Sequence, residues 1–241
     1  MSRVNVLGVG FDALTGNEAA DRALELMRQR RAAYVCTPNP EIVLLARRDP
    51  DLMEAVNGAD LVLADGIGVL WASKTLGTPL PERVAGYDFL LALLARMEGS
   101  VYILGGRGDA AEKAAAAIAR DHPGLTVAGW CDGFITDELR LIAELGEKEP
   151  DLLMVCLGAG KQELWMAAHR DLPVGLMAGL GGSVDVLAGA VPRAPAWWRD
   201  RGLEWLYRLI KQPWRIRRQL RLPGYVLAVL RQKRKNKKRG S

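Results

Sequence analysis

The stretch AYVCTPNPEIVLLA, residues 33–46, decides how the rest of the chain is read. Four residues suited to a buried strand, Ala33 to Cys36, run into Thr-Pro-Asn-Pro, after which apolar residues fall at helical spacing. Asn39 is a natural N-cap, and Pro40 suits the first helical position, where its missing N–H costs nothing. The stretch therefore predicts a strand, a tight turn and a helix within 14 residues. Capping accounts for Asn39 and Pro40 but not for Thr37.

The same order recurs along the chain. Apolar runs at 4–10, 60–66, 100–106, 125–130, 151–160 and 173–182 end in glycine or polar turns. Helical patterns at 15–30, 40–57, 66–76, 86–97, 108–121, 137–147 and 161–170 lie between them. Near-continuous apolar strands alternating with helices predict an α/β fold, a Rossmann-like, mostly parallel sheet with helices on both faces. Ligands of such sheets bind beyond the carboxyl ends of the strands. The residues to inspect are those just after each run: Thr37, Asn39, Asp65, Gly105 to Gly108 with Gly106 among them, Asp132, Lys161, Gln162 and Gly181 to Ser183.

Charge divides the chain near Pro192. The formal net charge is +5, yet residues 192–241 hold 16 Lys and Arg against Asp200 and Glu204. An α/β body over 1–191 is thus followed at 192–241 by a basic helical appendage, an asymmetry that points to an anionic partner. Leu203, Leu206, Tyr207 and Ile210 recur at i, i+3, i+4 and i+7, which predicts an amphipathic helix stopped before Pro213. Further helices are expected at 214–222 and 224–233, and 234–241 are either part of the anion-binding segment or a disordered solubilising tail. Cations interleaved with Trp, Leu, Tyr and Val suit an anionic bilayer surface, and a basic tail would also bind nucleic acid nonspecifically. The N-terminal apolar run is too short for a signal peptide, and no segment offers the roughly 18 uninterrupted apolar residues of a spanning helix. A soluble or surface-attached protein is expected.

Three cysteines without CxxC spacing and two histidines without a partner motif argue against disulfides and a zinc site. Asp49-Pro50-Asp51 could be an Asp-x-Asp metal site, but within RRDPDLMEAV it reads better as a helix restart capped by Asp49. ILGGRGDAA places Gly106, Gly108 and Ala111 in a GxGxxG/A pattern. The glycines suit either a phosphate at a helix N-terminus or simply a tight turn. An oxidoreductase would also need an acidic residue further on, and Asp132 is roughly placed, but no hydride-transfer constellation follows. Asp65 ends an apolar strand before glycines, so it is either a helix cap or a carboxylate at the ligand edge able to act as a general base.

Several long motifs, in order, carry a more specific signal. TPNPEIVLLARRDPDLMEAVNGADLVLADGIGVLWASKTLGTPLPERVAGYDF, GAGKQELWM, GLGGSVDVLAGAVPRAPAWW and GLEWLYRLIKQPWRIRR together resemble the WecG/TagA/CpsF family of bacterial glycosyltransferases. The resemblance runs from about residue 4 to residue 222. It implies a Rossmann-like core and a helical appendage. It also implies metal-independent, inverting transfer of an N-acetylmannosamine-type sugar, or a related hexose or uronic acid, from a UDP-sugar to a polyprenyl-diphosphate-linked sugar. The site would be the cytoplasmic membrane face, in cell-wall or exopolysaccharide synthesis. Carried over by motif, Thr37 and Asp65 are catalytic, with Asp65 the base, and Asn39, Arg83 and Gln162 bind substrate. Arg208, Arg215 and Arg218 reproduce the spacing of the appendage arginines that meet the donor's diphosphate. No cofactor and no nucleic-acid partner is implied, and a homo-oligomer is left open. The chain departs from the family's usual residues at Gly160, where proline is common, and at Gln212, where glutamate is.

Overall fold

The computed structural model describes residues 3–135, 137–195, 197–198, 201, 203–211, 216 and 220–239, with the side chains of Arg208 and Arg239 not described. Six parallel strands form the main sheet in the order β4-β3-β8-β7-β5-β6. They are β3 (Ala33–Cys36), β4 (Leu61–Val62), β5 (Gly99–Gly105), β6 (Leu125–Cys131), β7 (Leu152–Cys156) and β8 (Leu176–Gly179). β3 pairs with β4 on one side and β8 on the other, and β7 joins β8 to β5. This is the Rossmann-like α/β arrangement that the strand and helix alternation predicts.

The first apolar run departs from that expectation. Residues 4–10 do not form a strand of the main sheet; β1 (Arg3–Val6) and β2 (Val9–Asp12) make a separate antiparallel hairpin. Leu7 and Gly8 both take positive φ, 57° and 99°, as the tightest hairpin turns require. Arg3 fastens the hairpin by donating to the carbonyls of Asn57 and Ala59, and Asp12 accepts from the Val62 amide.

The pleat sends alternate strand residues to two apolar layers. Tyr34, Cys36, Leu153, Val155 and Met177 face a layer with the hairpin, α2 (Pro40–Ala46), α3 (Pro50–Asn57), α4 (Ile67–Leu76), α7 (Glu138–Lys148) and α8 (Lys161–Ala168). Ala33, Val35, Leu152, Met154, Leu176 and Ala178 face α1 (Gly16–Arg28), α5 (Gly86–Leu94), α6 (Ala110–Asp121) and the short α9 (Ser183–Leu187). The predicted helix 40–57 is two helices. Asp49 caps the second by accepting from the Asp51 and Leu52 amides at 3.1 and 3.2 Å, the restart that the sequence favoured over a metal site.

Beyond the sheet, α10 (Glu204–Lys211) and α11 (Leu222–Arg239) are helical. The last helix is longer than the 224–233 expected: 234–239 continue it, with 234–238 exposed. Lys and Arg are good helix formers and suit a C-terminal dipole end. Its inner face has a firm anchor, since Tyr225 and Val229 are buried in the same apolar layer as α4.

Candidate functional site

The end of β3 supplies the first two side chains. Thr37 is buried and donates from Oγ1 to the Gly179 carbonyl at the end of β8, 2.9 Å away. Gly86, which opens α5, packs so closely on Thr37 that a Cβ there would lie 3.2 Å from Oγ1. Asn39 caps α2 as its sequence context predicts, with Oδ1 accepting from the Glu41 and Ile42 amides at 2.9 and 3.1 Å.

Asp65 stands beside them. It follows β4, is half-buried, and donates from its main-chain amide to the Pro38 carbonyl at 3.2 Å. The N-cap position of α4 is Gly66, not Asp65. The first turn of α4 presses on the first turn of α2: a Cβ on Gly68 would come within 2.6 Å of Pro40 Cγ. Two helix N-termini, with their partial positive charge, therefore meet where the Asp65 turn leaves the sheet.

Gln162 closes the neighbouring side. Only 2% exposed, it donates from Nε2 to Glu163 Oε1 at 2.9 Å and accepts from the Gly181 amide at 3.0 Å. It thereby ties the start of α8 to the loop between β8 and α9. Glu163 is fully buried, and its other oxygen accepts from the Gly160 amide at 2.7 Å. Burial raises the Glu163 pKa, while the bonds from Gln162 and Gly160 act in the opposite direction. Gly160 has φ +86°, a conformation and a donor N–H that a proline could not supply. The sequence reading missed Glu163, although it adjoins Gln162 in the same motif, because a glutamate in a helix's first turn is ordinarily exposed.

Arg83 lies near this cluster, since Val84 donates to the carbonyl of Ala64. Its guanidinium is 3.4 Å from Glu204 of α10 and 3.8 Å from Asp88 in the first turn of α5. Asp88 also pairs with Arg193, which stacks over Tyr87. Core and C-terminal segment are thus joined by alternating charges beside the sheet edge. Arg208 falls one turn after Glu204 on α10, with its side chain outside the described set. Arg215 and Arg218 lie outside the described residues.

The glycine motif belongs to a different place. Gly105 ends β5 and Gly106 follows it, separated from β3 by β7 and β8. Gly105 has φ +124°, and a Cβ on it would sit 2.4 Å from the carbonyl of Cys156, so close strand packing alone demands a glycine. Asp132 is exposed and accepts from the Phe134 amide at 2.8 Å, a local turn bond. At the N-terminus of α6, Asp109 makes no side-chain cap bond and is 2.7 Å from Lys113. The structure therefore gathers Thr37, Asn39, Asp65, Gln162 and, by its backbone, Arg83. It does not bring Gly105, Gly106 or Asp132 to them.

An open parallel sheet with a hydroxyl, an amide and a carboxylate gathered beyond two neighbouring strands belongs to the doubly wound, ligand-binding α/β class. Within that class, this chain is a member of the glycosyl transferase WecG/TagA/CpsF family, whose model matches residues 4–239. It is 38% identical over 214 residues to the N-acetylglucosaminyldiphosphoundecaprenol N-acetyl-beta-D-mannosaminyltransferase of Bacillus spizizenii, covering 87% of this chain and 83% of that one. The Bacillus subtilis (strain 168) protein of the same name is 36% identical over the same coverage. The Staphylococcus aureus (strain MW2) protein, again of that name, is 31% identical over 98% of this chain and 96% of its own. Among the described residues, no helix is long and apolar enough to cross a membrane.

Proposed function

We propose that this chain transfers an N-acetylmannosamine-type sugar from a UDP-sugar to N-acetylglucosamine carried on a polyprenyl diphosphate, while bound peripherally at the cytoplasmic face of the membrane. The observation that carries this reading is the meeting of Thr37, Asn39, Asp65 and Gln162 at one sheet edge, in a chain whose relatives bear that activity in their names.

In this reading Asp65 takes the proton from the acceptor hydroxyl as its oxygen attacks the anomeric carbon. The bond from that carbon to the UDP oxygen breaks on the opposite face, so the configuration inverts. The leaving diphosphate gains negative charge, and guanidinium groups can stabilise it as preorganised electrostatics. Arg208, Arg215 and Arg218 are assigned that task, with Arg83 nearer the sugar. Asn39 has its Oδ1 committed to the helix cap, so its amide nitrogen is the atom offered to substrate. Thr37 and Gln162, both buried and bonded, shape the pocket by fixing the β8–α9 loop.

The test is Asp65→Asn, which keeps size and removes the base. Release of UDP with a lipid-linked N-acetylglucosamine acceptor should fall at least about a thousandfold, within the usual contribution of a general base and its electrostatics. Unchanged melting temperature and UDP binding are expected alongside. Near-normal turnover would remove Asp65 from the role.

A further inference from the structure

Helix α11 has two sides with different partners. Tyr225, Ala228, Val229 and Gln232, at i, i+3, i+4 and i+7, face the body of the protein. Tyr225 donates to the Gly68 carbonyl at 3.3 Å, and Gln232 accepts from the Leu7 amide at 3.0 Å. Val226, Leu227 and Leu230 lie on the outer side and are exposed.

Where α11 leans on the core, it walls a groove. One recess, of about 740 Å³, lies between the hairpin tip, Arg47 and α11; a second, of about 430 Å³, adjoins it through Arg47 and Gly224. Six cations line the two: Arg47 and Arg48 from the end of α2, Arg221 just before α11, and Arg231, Arg234 and Lys235 along it. None of the lining residues is acidic, and none of the six forms an ion pair among the described residues. Three separate elements thus bring like charges together in a concavity, an arrangement that an anion would relieve.

We propose that this groove is a binding site for the diphosphate head of a prenyl lipid, the acceptor of the transfer. The inference rests on the functional reading above. A flat bilayer meets convex surfaces, whereas a recess admits a single head group. Arginine forks fit phosphate oxygens by paired hydrogen bonds. Leu44 and Leu220, which line the second recess, suit the start of a hydrocarbon chain. Among the described residues the groove lining holds no aromatic side chain on which the bases of a single strand would stack. The groove and the Asp65 turn are linked through α11: Gly224 lines the groove, and the next residue, Tyr225, donates from its hydroxyl to the Gly68 carbonyl, three residues after Asp65. A head group held here is separate from the donor's leaving diphosphate, which other arginines are assigned to meet.

Arg47 and Arg48 are exposed at a helix end, so replacing both tests the site without disturbing the core. Binding of a short-chain, water-soluble prenyl diphosphate to the full chain is measured by calorimetry, with no bilayer and no donor. R47A/R48A should weaken it by about tenfold or more, from the loss of two charge-assisted contacts, and Arg221→Ala should weaken it separately. Sedimentation with anionic phospholipid vesicles lacking prenyl diphosphate forms the second arm. Equal prenyl diphosphate affinity in wild type and R47A/R48A overturns the proposal, as does a loss confined to the vesicle arm, which would make the groove a general bilayer contact. Arginine-dependent binding without sugar transfer by the wild type would sink the functional reading and leave the groove standing. Transfer with arginine-independent binding would do the reverse.

Discussion

Replacing Gln162 with alanine should unlatch the β8–α9 loop at a cost that can be worked from its two hydrogen bonds. The change strips Glu163 Oε1 of its 2.9 Å partner and the Gly181 amide of its 3.0 Å partner. A buried polar group left unpaired costs about 1–3 kcal/mol, with charged groups at the upper end. Glu163 is fully buried and belongs near the top of that range, whereas Gly181 is half-buried and can recruit water. The sum is about 3 kcal/mol, and at this chain length each kcal/mol lowers the melting temperature by about 2–4 °C. A fall of about 10 °C is expected by calorimetry, together with weaker UDP binding. A fall below about 2 °C would refute the reasoning. Gln162→Glu sharpens the test, because it sets a second carboxylate against Glu163, whose pKa burial already raises. Two carboxylates in contact retain one proton, so the pair titrates above the unfolded value. A raised folded pKa gives stability that is present below about pH 4.5 and lost as pH rises through the folded value. The melting-temperature gap to wild type should therefore widen from pH 4 toward pH 8, and a constant gap would contradict the contact.

Two further outcomes concern other parts of the molecule. Gly105→Ala forces a Cβ against the Cys156 carbonyl and should cost on the order of 4 kcal/mol or more, seen as loss of folded protein. Gly108→Ala, at φ +58° with open space around it, should cost only about 1–2 kcal/mol. In the native state a thiol reagent should label Cys131 first. Burial raises the pKa of all three cysteines, to about 12 for Cys156, but Cys131 is the least enclosed. Faster labelling of Cys36 or Cys156 would mean that the sheet opens at those strands.

Local chemistry made part of the site readable. Asn39 with Pro40, and Asp49 with Pro50, are helix starts written in adjacent residues, and both caps form as read. Asp65 and Thr37 could be shortlisted because in parallel sheets the residue after each strand faces the ligand edge. Gly105 and Gly106 satisfied the same rule and a motif besides, yet stand three strands from Thr37, Gly105 packed on the Cys156 carbonyl and Gly106 on Ala110 and Val184. Strand order, which local patterns along the chain do not reveal, made that difference. Arg83 was found by motif, but its ties to Asp88 and Glu204 cross more than a hundred residues in the latter case and leave no local trace.

The sequence by itself determined the alternation of strands and helices, the positions of the caps and the unequal distribution of charge, since periodicity, capping and net charge are properties of neighbouring residues. Tertiary structure decided which strand ends lie side by side, that the first apolar run folds back as a hairpin, and that Glu163 is buried. It also set α11 along α2 and the hairpin, turning a basic tail into one wall of a groove. These are outcomes of long-range packing. The free energy of burying Tyr225 and Val229 against the body fixes where the arginines on that helix stand.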